Sequence, residues 1–484
     1  MLRDRLWFDP ARIFVGGRWT DPHGGDGLPI EDPSTGSEIG LLAKGGAADI
    51  DSAVAAAGGA LQGGWGRTTA TERGRILSRL GQLVLSHADD LAQIESMDVG
   101  KPLKQARADV AALARYMEFY GGAADKVTGQ TIPYLDGYTV YTLREPHGVT
   151  GHIVPWNYPM QIIGRSVGAA LAMGNACVLK PAEEACLTAL AFADLAHRAG
   201  LPAGAINVVP GLGAEAGAAL SRHPDVRHIS FTGSVATGRL VQADAAKNAV
   251  SVTLELGGKS PQLVFADADL DKALPFLVNA GIQNAGQTCS AASRILVERS
   301  RRDEVIERMA ARYRALRTGP ALADLDLGPL ISARQKGIVE TYLTLAGDLT
   351  IAARGTIESD APAGGHYLAP VLLADVPPDH RLSREEIFGP VQVVIPFEDE
   401  DEAVAIANGT EFGLVAAVWS ENGARQMRLA KRLRAGQVFL NNYGAGGGVE
   451  LPFGGVGRSG HGREKGFEAL YGFSTLKTVA AHHG

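Results

Sequence analysis

The chain has 484 residues, of which 45% are hydrophobic and 20% charged, the profile of a globular protein with about two or three domains. Its net charge of −7 argues against nucleic acid or an anionic membrane as partner. Three cysteines without metal-type spacing fit a reducing compartment, most simply the cytoplasm, and a core of this size needs no disulfide.

The opening stretch MLRDRLWFDPARIF is broken by charges and proline and does not read as a signal peptide. From about residue 50 to 120 leucines recur at three- and four-residue spacing, as in TERGRILSRLGQLVLSHADDLAQIESMDVG, which predicts helices. Residues 131–147, TIPYLDGYTVYTLREPH, alternate and are rich in Tyr and Thr, which predicts an extended hairpin or arm. Strand and helix then alternate: GHIVP, a helix from about Met160, ACVLKP, a helix near 188–199, INVVPG, a short helix, HISFTG, a helix, and SVTLEL. That order predicts a parallel sheet covered by helices. The longest apolar run, VGAALAMGNACVLK, is too short and too interrupted at Gly174-Asn175 to cross a bilayer. A second alternating region runs from SPQLVF to AGQVFLNN and includes RRDEVIERMAARYRALR, whose arginines read as a solvated helix face. The closing FSTLKTVAA reads as a strand.

Two stretches imitate phosphate-binding loops. Gly211-Leu212-Gly213 with Gly217 sets its last glycine one place late for a dinucleotide fingerprint, so a plain turn is favoured. Gly233 to Gly238, GSVATG, has P-loop glycine spacing, but Arg239-Leu240 stand where Lys and Ser/Thr belong. What survives is a strand ending in a small-residue turn that opens a helix. The helix N-terminus can hold a pyrophosphate, or Ser234 can simply cap it.

Seven motifs follow in order: PWNYP (155–159), KPAEE (180–184), FTGS (231–234), ELGGK (255–259), GQTCS (286–290), EEIFGP (385–390) and PFGGVGRSGHGRE (452–464). Together they resemble the NAD(P)-dependent aldehyde dehydrogenase superfamily nearly end to end. The resemblance implies an α/β fold: a doubly wound Rossmann-type cofactor domain over residues 1–123 and 148–256, and an α/β catalytic domain over 257–455. It also implies a β-arm and bridging elements at 124–147 and 456–484, and a homodimer or a dimer of dimers.

It further implies oxidation of an aldehyde to a carboxylic acid, and the residue types suit that chemistry. An electron-poor carbonyl carbon cannot readily release hydride until a nucleophile has added to it. Cys289 matches the family nucleophile, which passes through a thiohemiacetal and a thioester. Asn157, with the Cys289 backbone N–H, matches the donors to the alkoxide. Glu255 matches the general base that activates water, its pKa raised by apolar surroundings. Cys177 and Cys186 match no motif and read as structural.

By the same resemblance Ile153, Trp156, Lys180, Glu183, Gly213, Gly233, Ser234, Leu256, Glu386 and Phe388 are expected to contact the cofactor. A carboxylate at Glu183 would accept from the ribose 2′-OH and repel a 2′-phosphate, which favours NAD over NADP. Arg165, Tyr158 and Phe453 are expected at the substrate. Arg165 stands where succinic semialdehyde dehydrogenases grip a carboxylate, though a salt bridge in the tunnel wall is an equal reading. The small residues of Tyr443 to Glu450, YGAGGGVE, suggest a wide entrance for bulky or aromatic aldehydes. No zinc motif is present, so no metal is expected. A cysteine-dependent ester or thioester hydrolase is the alternative, and a catalytically silent binding protein a third.

Overall fold

The computed structural model describes residues 5–444 and 448–484. Its frame is two large sheets with separate apolar cores, plus a small three-stranded sheet. The fold is α/β with mixed sheets.

The first sheet runs Arg18–Thr20, Ile13–Val15, Ile206–Val208, Ala176–Pro181, Val149–Val154, His228–Thr232, Ser251–Glu255, Gly460–His461. Its central strands are parallel and carry residues buried on both faces, which is why they read as apolar runs. From Val149–Val154 the next two strands in sequence lie on one side and the following two on the other. The crevice at such a switch point, beyond the strands' C-terminal ends, is where open α/β sheets bind ligands. PWNYP, KPAEE, FTGS and Glu255 all sit at those ends.

The helices behave as their spacing demands. Ala70–Ser86 opens on a reciprocal cap: the Glu72 amide donates to Thr69 Oγ1 and the Thr69 amide to Glu72 Oε2, at 3.3 and 2.9 Å. Its Ile76, Leu77, Leu80 and Val84 are buried on one face. Arg302–Ala315 buries only Val305, Met309, Ala310 and Tyr313 and turns its other side to water. Strands at Ile13–Val15, Arg18–Thr20, Gly27–Asp32 and Ser37–Ala43 precede the first helix; their short, glycine-divided runs gave no periodicity to read.

The second sheet runs Thr350–Arg354, Val371–Ala374, Val391–Phe397, Arg294–Glu298, Pro261–Val264, Val415–Trp419, Gln437–Leu440. In the third, Tyr138–Pro146 pairs with Thr131–Ile132 on one side. On the other it pairs antiparallel with Ser474–His482, from Ser474 opposite Pro146 to His482 opposite Tyr138. The C-terminal segment is therefore divided: Gly460–His461 closes the edge of the first sheet while Ser474–His482 joins the arm. No helix among the described residues is long and apolar enough to cross a membrane.

Candidate active site

The loop carrying Cys289 is shaped by unusual backbone. Asn284, Ala285 and Gly286 are consecutively left-handed, with φ of 49°, 53° and 75°. Only glycine fits the last position, because a Cβ on Gly286 would lie 2.1 Å from the Gly389 carbonyl oxygen of EEIFGP. Gly257 admits a second approach: a Cβ there would lie 2.0 Å from Glu386 Oε2. The motif glycines thus let segments far apart in sequence meet closely, backbone against backbone at Gly286 and backbone against side chain at Gly257.

A ring of hydrogen bonds holds Asn157 to this loop. Its side-chain Nδ2 donates to the Gln287 carbonyl at 3.0 Å, and Asn284 Nδ2 donates to the Asn157 carbonyl at 3.0 Å. Gln287 is tied in turn, donating from Nε2 to the Asn284 carbonyl and accepting the Ile331 amide on Oε1. Asn157 is 4% exposed and keeps one side-chain N–H beyond the bond to Gln287. Among the described residues the Cys289 amide donates to no protein acceptor.

Two cavities meet there. One, of about 450 Å³, is lined by Tyr158, Arg165, Phe453, Tyr443 and Lys465. The other, of about 370 Å³, is lined by Trp156, Gly233, Ser234, Glu255, Glu386 and Phe388. Asn157 and Cys289 are in the walls of both. The Trp156 and Phe388 rings meet edge to face at 5.3 Å, and Phe388 holds a left-handed φ of 57° while its carbonyl accepts from Gln335. Ser234 accepts from the Thr237 amide and so caps helix Val235–Ala246 at the cavity wall.

Electrostatics differ across the site. Burial pushes the Cys289 thiol up to about 12, against the neighbouring Arg165 charge, which pulls it down. Burial likewise holds Glu255 well above the usual carboxylate range, with Arg165 opposing and Glu464 adding. Neither carboxyl oxygen of Glu255 has a hydrogen-bond partner among the described residues. Its strand neighbours Leu254 and Leu256 alternate to the other face; what crowds Oε1 is Gly454, where a Cβ would come within 2.8 Å. Glu386 is raised by burial to about 7 and accepts the Gly258 amide on Oε1 at 3.0 Å.

Not every expected residue lies in these walls. Lys180, Glu183 and Gly213 form their own cluster at the next strand end, with Lys180 Nζ 2.8 Å from Glu183 Oε2. Burial works to raise Glu183, but Lys180 and backbone donors outweigh it and hold the carboxyl low. Ile153 lies within the strand Val149–Val154, opposite Lys180 and Phe231. Leu256 packs under the helix, where a Cβ on Gly238 would meet it at 2.6 Å. Arg165 lines the first cavity but its Nε lies 2.5 Å from Glu464 Oε2, the salt-bridge arrangement, and its Nη2 donates to Thr232 Oγ1 at 3.1 Å. Cys177 and Cys186 are buried and line neither cavity. Of the glycine-rich entrance loop, residues 445–447 lie outside the described residues.

The motifs assign no site role to Glu464 or Lys465, and Tyr443 enters them only as the start of the entrance stretch. Tyr443 O–H donates to the carbonyl of Ser290, next to the thiol, and Lys465 follows directly on the last motif.

Residues 19–479 match the Aldehyde dehydrogenase family. A hydroxyisobutyraldehyde dehydrogenase from Mycolicibacterium austroafricanum is 42% identical over 97% of this chain and 93% of its own. A crystal structure from Burkholderia cenocepacia, described there as a proposed aldehyde dehydrogenase, is 64% identical with TM-score 0.97, covering 98% of this chain and 100% of that one. The NAD+ complex of a Bacillus cereus aldehyde dehydrogenase is 36% identical with TM-score 0.96, covering 100% and 98%. The chain belongs to the aldehyde dehydrogenase family.

Proposed function

We propose that the protein oxidises an aldehyde to a carboxylic acid with NAD, the acyl group passing through Cys289. The observation that carries this reading is the pair of cavities sharing only a wall at Cys289 and Asn157. A plain thioester hydrolase has no use for the second cavity.

That second cavity suits a dinucleotide. A capped helix start at Ser234 offers free N–H groups to a pyrophosphate, and a Cβ on Gly213 would meet nothing within 4 Å, leaving open space beside Glu183. Lys180 and Glu183 would hold the adenosine ribose, and Glu386 and Phe388 the nicotinamide end, with Trp156 beside it. Ile153 and Leu256 would act from behind, through the strand and helix that shape the site. NAD, when bound, supplies the acceptor for the hydride that turns a thiohemiacetal into a thioester.

The chain's own groups do the rest. The Cys289 sulfur, as thiolate, bonds to the aldehyde carbon while the carbonyl electrons move onto oxygen. The free Asn157 N–H and the Cys289 amide hold that alkoxide. Their positions are set before substrate arrives, so little reorganisation is needed. Arg165 favours the thiolate by its charge. Glu255, ionised, takes a proton from water as the oxygen adds to the thioester carbon; the C–S bond then breaks and the acid leaves. Because burial raises Glu255, this step quickens as pH rises through its pKa. Phe453 and Tyr158 give the aldehyde cavity an apolar lining.

We assign residues 1–123 and 148–256 to the NAD-binding domain, 257–455 to the catalytic domain, and 124–147 with 456–484 to assembly. Tyr134, Leu135, Leu143 and Leu476 expose apolar surface on the arm, which fits a homodimer or homotetramer. The test is NADH formation from a panel of aldehydes by wild type and Cys289→Ala. Activity should vanish in the variant; aldehyde-independent ester hydrolysis faster than oxidation would favour the hydrolase instead.

A further inference from the structure

A buried cluster of Glu95, Lys101 and Asp109 stands beside the aldehyde cavity, and the chemistry above uses none of it. Helix Ala88–Val99 ends at Gly100, left-handed with φ of 86°, and the next residue, Lys101, has no exposure. Its Nζ lies 2.8 Å from Glu95 Oε1, on that helix, and 2.5 Å from Asp109 Oδ2, on helix Leu103–Ala123. On a third side is the Tyr158 ring, whose centre is 4.1 Å from Nζ. An ammonium has three N–H donors, and two carboxylates and a ring face occupy them. The carboxylates are held in turn. Glu95 Oε2 accepts from Thr188 Oγ1 at 3.1 Å, and Asp109 Oδ1 accepts from Gln161 Nε2 at 2.5 Å. Burial works against the Lys101 charge, but Asp109 and Glu95 outweigh it and raise its pKa, so the ammonium persists.

Such a cluster is a costly way to hold helices together. Buried charges carry a desolvation cost that pairing only offsets, and apolar side chains of equal volume often serve stability as well. Its partners converge on the aldehyde cavity instead. Tyr158, Gln161 and Asp109 all line that cavity, and none of them lines the second. Tyr158 stands just before helix Pro159–Ala172 with non-helical backbone, φ −140° and ψ 58°, so the helix alone does not aim its side chain. Burial first and the Asp109 charge second hold its hydroxyl well above the usual phenol range, against a hydrogen bond with the Thr288 side chain, next to Cys289. The ring is thus caught between a fixed cation and the thiol loop.

We infer that Lys101 is a positioning residue: its ammonium, anchored by Glu95 and Asp109, fixes the Tyr158 ring as one wall of the aldehyde cavity and so sets how tightly the aldehyde is held before it meets Cys289. The inference rests on the aldehyde-oxidising reading above.

Butanal oxidation at saturating NAD gives KM and kcat, and NAD affinity is measured without aldehyde. Lys101→Arg, which keeps the cation, should stay within about twofold of wild type in KM. Glu95→Gln with Lys101→Met removes one charge of each sign and leaves Asp109 its bond from Gln161. This pair should raise KM about tenfold with NAD affinity unchanged. Tyr158→Leu should raise KM as much, Tyr158→Phe less than about twofold, and the pair placed in Tyr158→Leu should add less than about twofold. Effects of the pair and of Tyr158→Leu that multiply, or a fall in NAD affinity in step with KM, overturn the inference. Equal losses in Tyr158→Phe and Tyr158→Leu also overturn it, and that comparison needs no change at Lys101. Iodoacetamide labelling of Cys289, without NAD or aldehyde, should quicken alike in Tyr158→Leu and in the pair but not in Lys101→Arg. If wild type oxidises no aldehyde while labelling follows that pattern, the oxidation reading fails and the placement of the ring by Lys101 stands.

Discussion

Replacing Asn157 by alanine removes a group with two separable duties. One side-chain N–H is spent on the Gln287 carbonyl at 3.0 Å, and the other is the one proposed to hold the alkoxide. Loss of one such donor from an oxyanion site costs about 2.7–4 kcal/mol, or about 10²–10³ in kcat. The Gln287 carbonyl, in a residue with no exposure, also loses its partner, which costs about 1–3 kcal/mol of stability. The bond from the Asn284 side-chain Nδ2 to the Asn157 backbone carbonyl survives, so the loop keeps one of its two ties. Asn157→Asp preserves the shape but sets a carboxylate against the Gln287 carbonyl and supplies no donor. NADH formation at saturating aldehyde and NAD gives kcat, thermal unfolding gives the stability loss, and iodoacetamide labelling of Cys289 reports whether the thiol is still presented. Both variants should lose about 10²–10³ in kcat while the thiol stays reactive. A folded Asn157→Ala with less than about a tenfold loss would refute the donor assignment.

Glu183→Ser removes the carboxylate expected to repel a 2′-phosphate, so the NADP-to-NAD ratio of kcat/KM should rise about tenfold; an unchanged ratio would show that Glu183 does not set cofactor choice. Arg165→Leu leaves Glu464 buried without its cation and should cost about 3–5 kcal/mol in chemical unfolding; a loss under about 1 kcal/mol would show the pair to be dispensable. Burial raises Asp98 to about 8 although it accepts the Leu187 amide. A group raised on folding contributes fully at low pH and loses that contribution as pH climbs towards its folded pKa. Asp98→Asn should therefore melt near wild type at pH 5 but higher than wild type at pH 9, and identical melting at both would show that Asp98 is not raised.

The strand ends that carry PWNYP, KPAEE and FTGS could be read in the sequence because a parallel sheet buried on both faces leaves apolar runs broken by small-residue turns. The arm was legible for a similar reason: alternating Tyr and Thr at 138–146 can only be a strand with one face bare. The engagement of Arg165 was not. Glu464 is 299 residues away in sequence, counted from 165 to 464, and nothing local marks which of two readings an arginine takes. The placement of Lys465 was not legible because it depends on the Phe453–Glu464 bridge, a contact that flanks the short strand Gly460–His461 and leaves no periodic signal. The split of the C-terminal segment between two sheets was hidden likewise, since Gly460–His461 is too short to announce a strand.

The central claim is that the acyl group rests on Cys289 and is released by water that Glu255 activates. Peptide-resolved mass spectrometry of Glu255→Gln, quenched after mixing with aldehyde and NAD, tests it most directly. The account predicts one equivalent of NADH formed and an acyl adduct trapped on the Cys289 peptide. NADH formed with the Cys289 peptide unmodified, or an adduct on Cys177 or Cys186 instead, would contradict it.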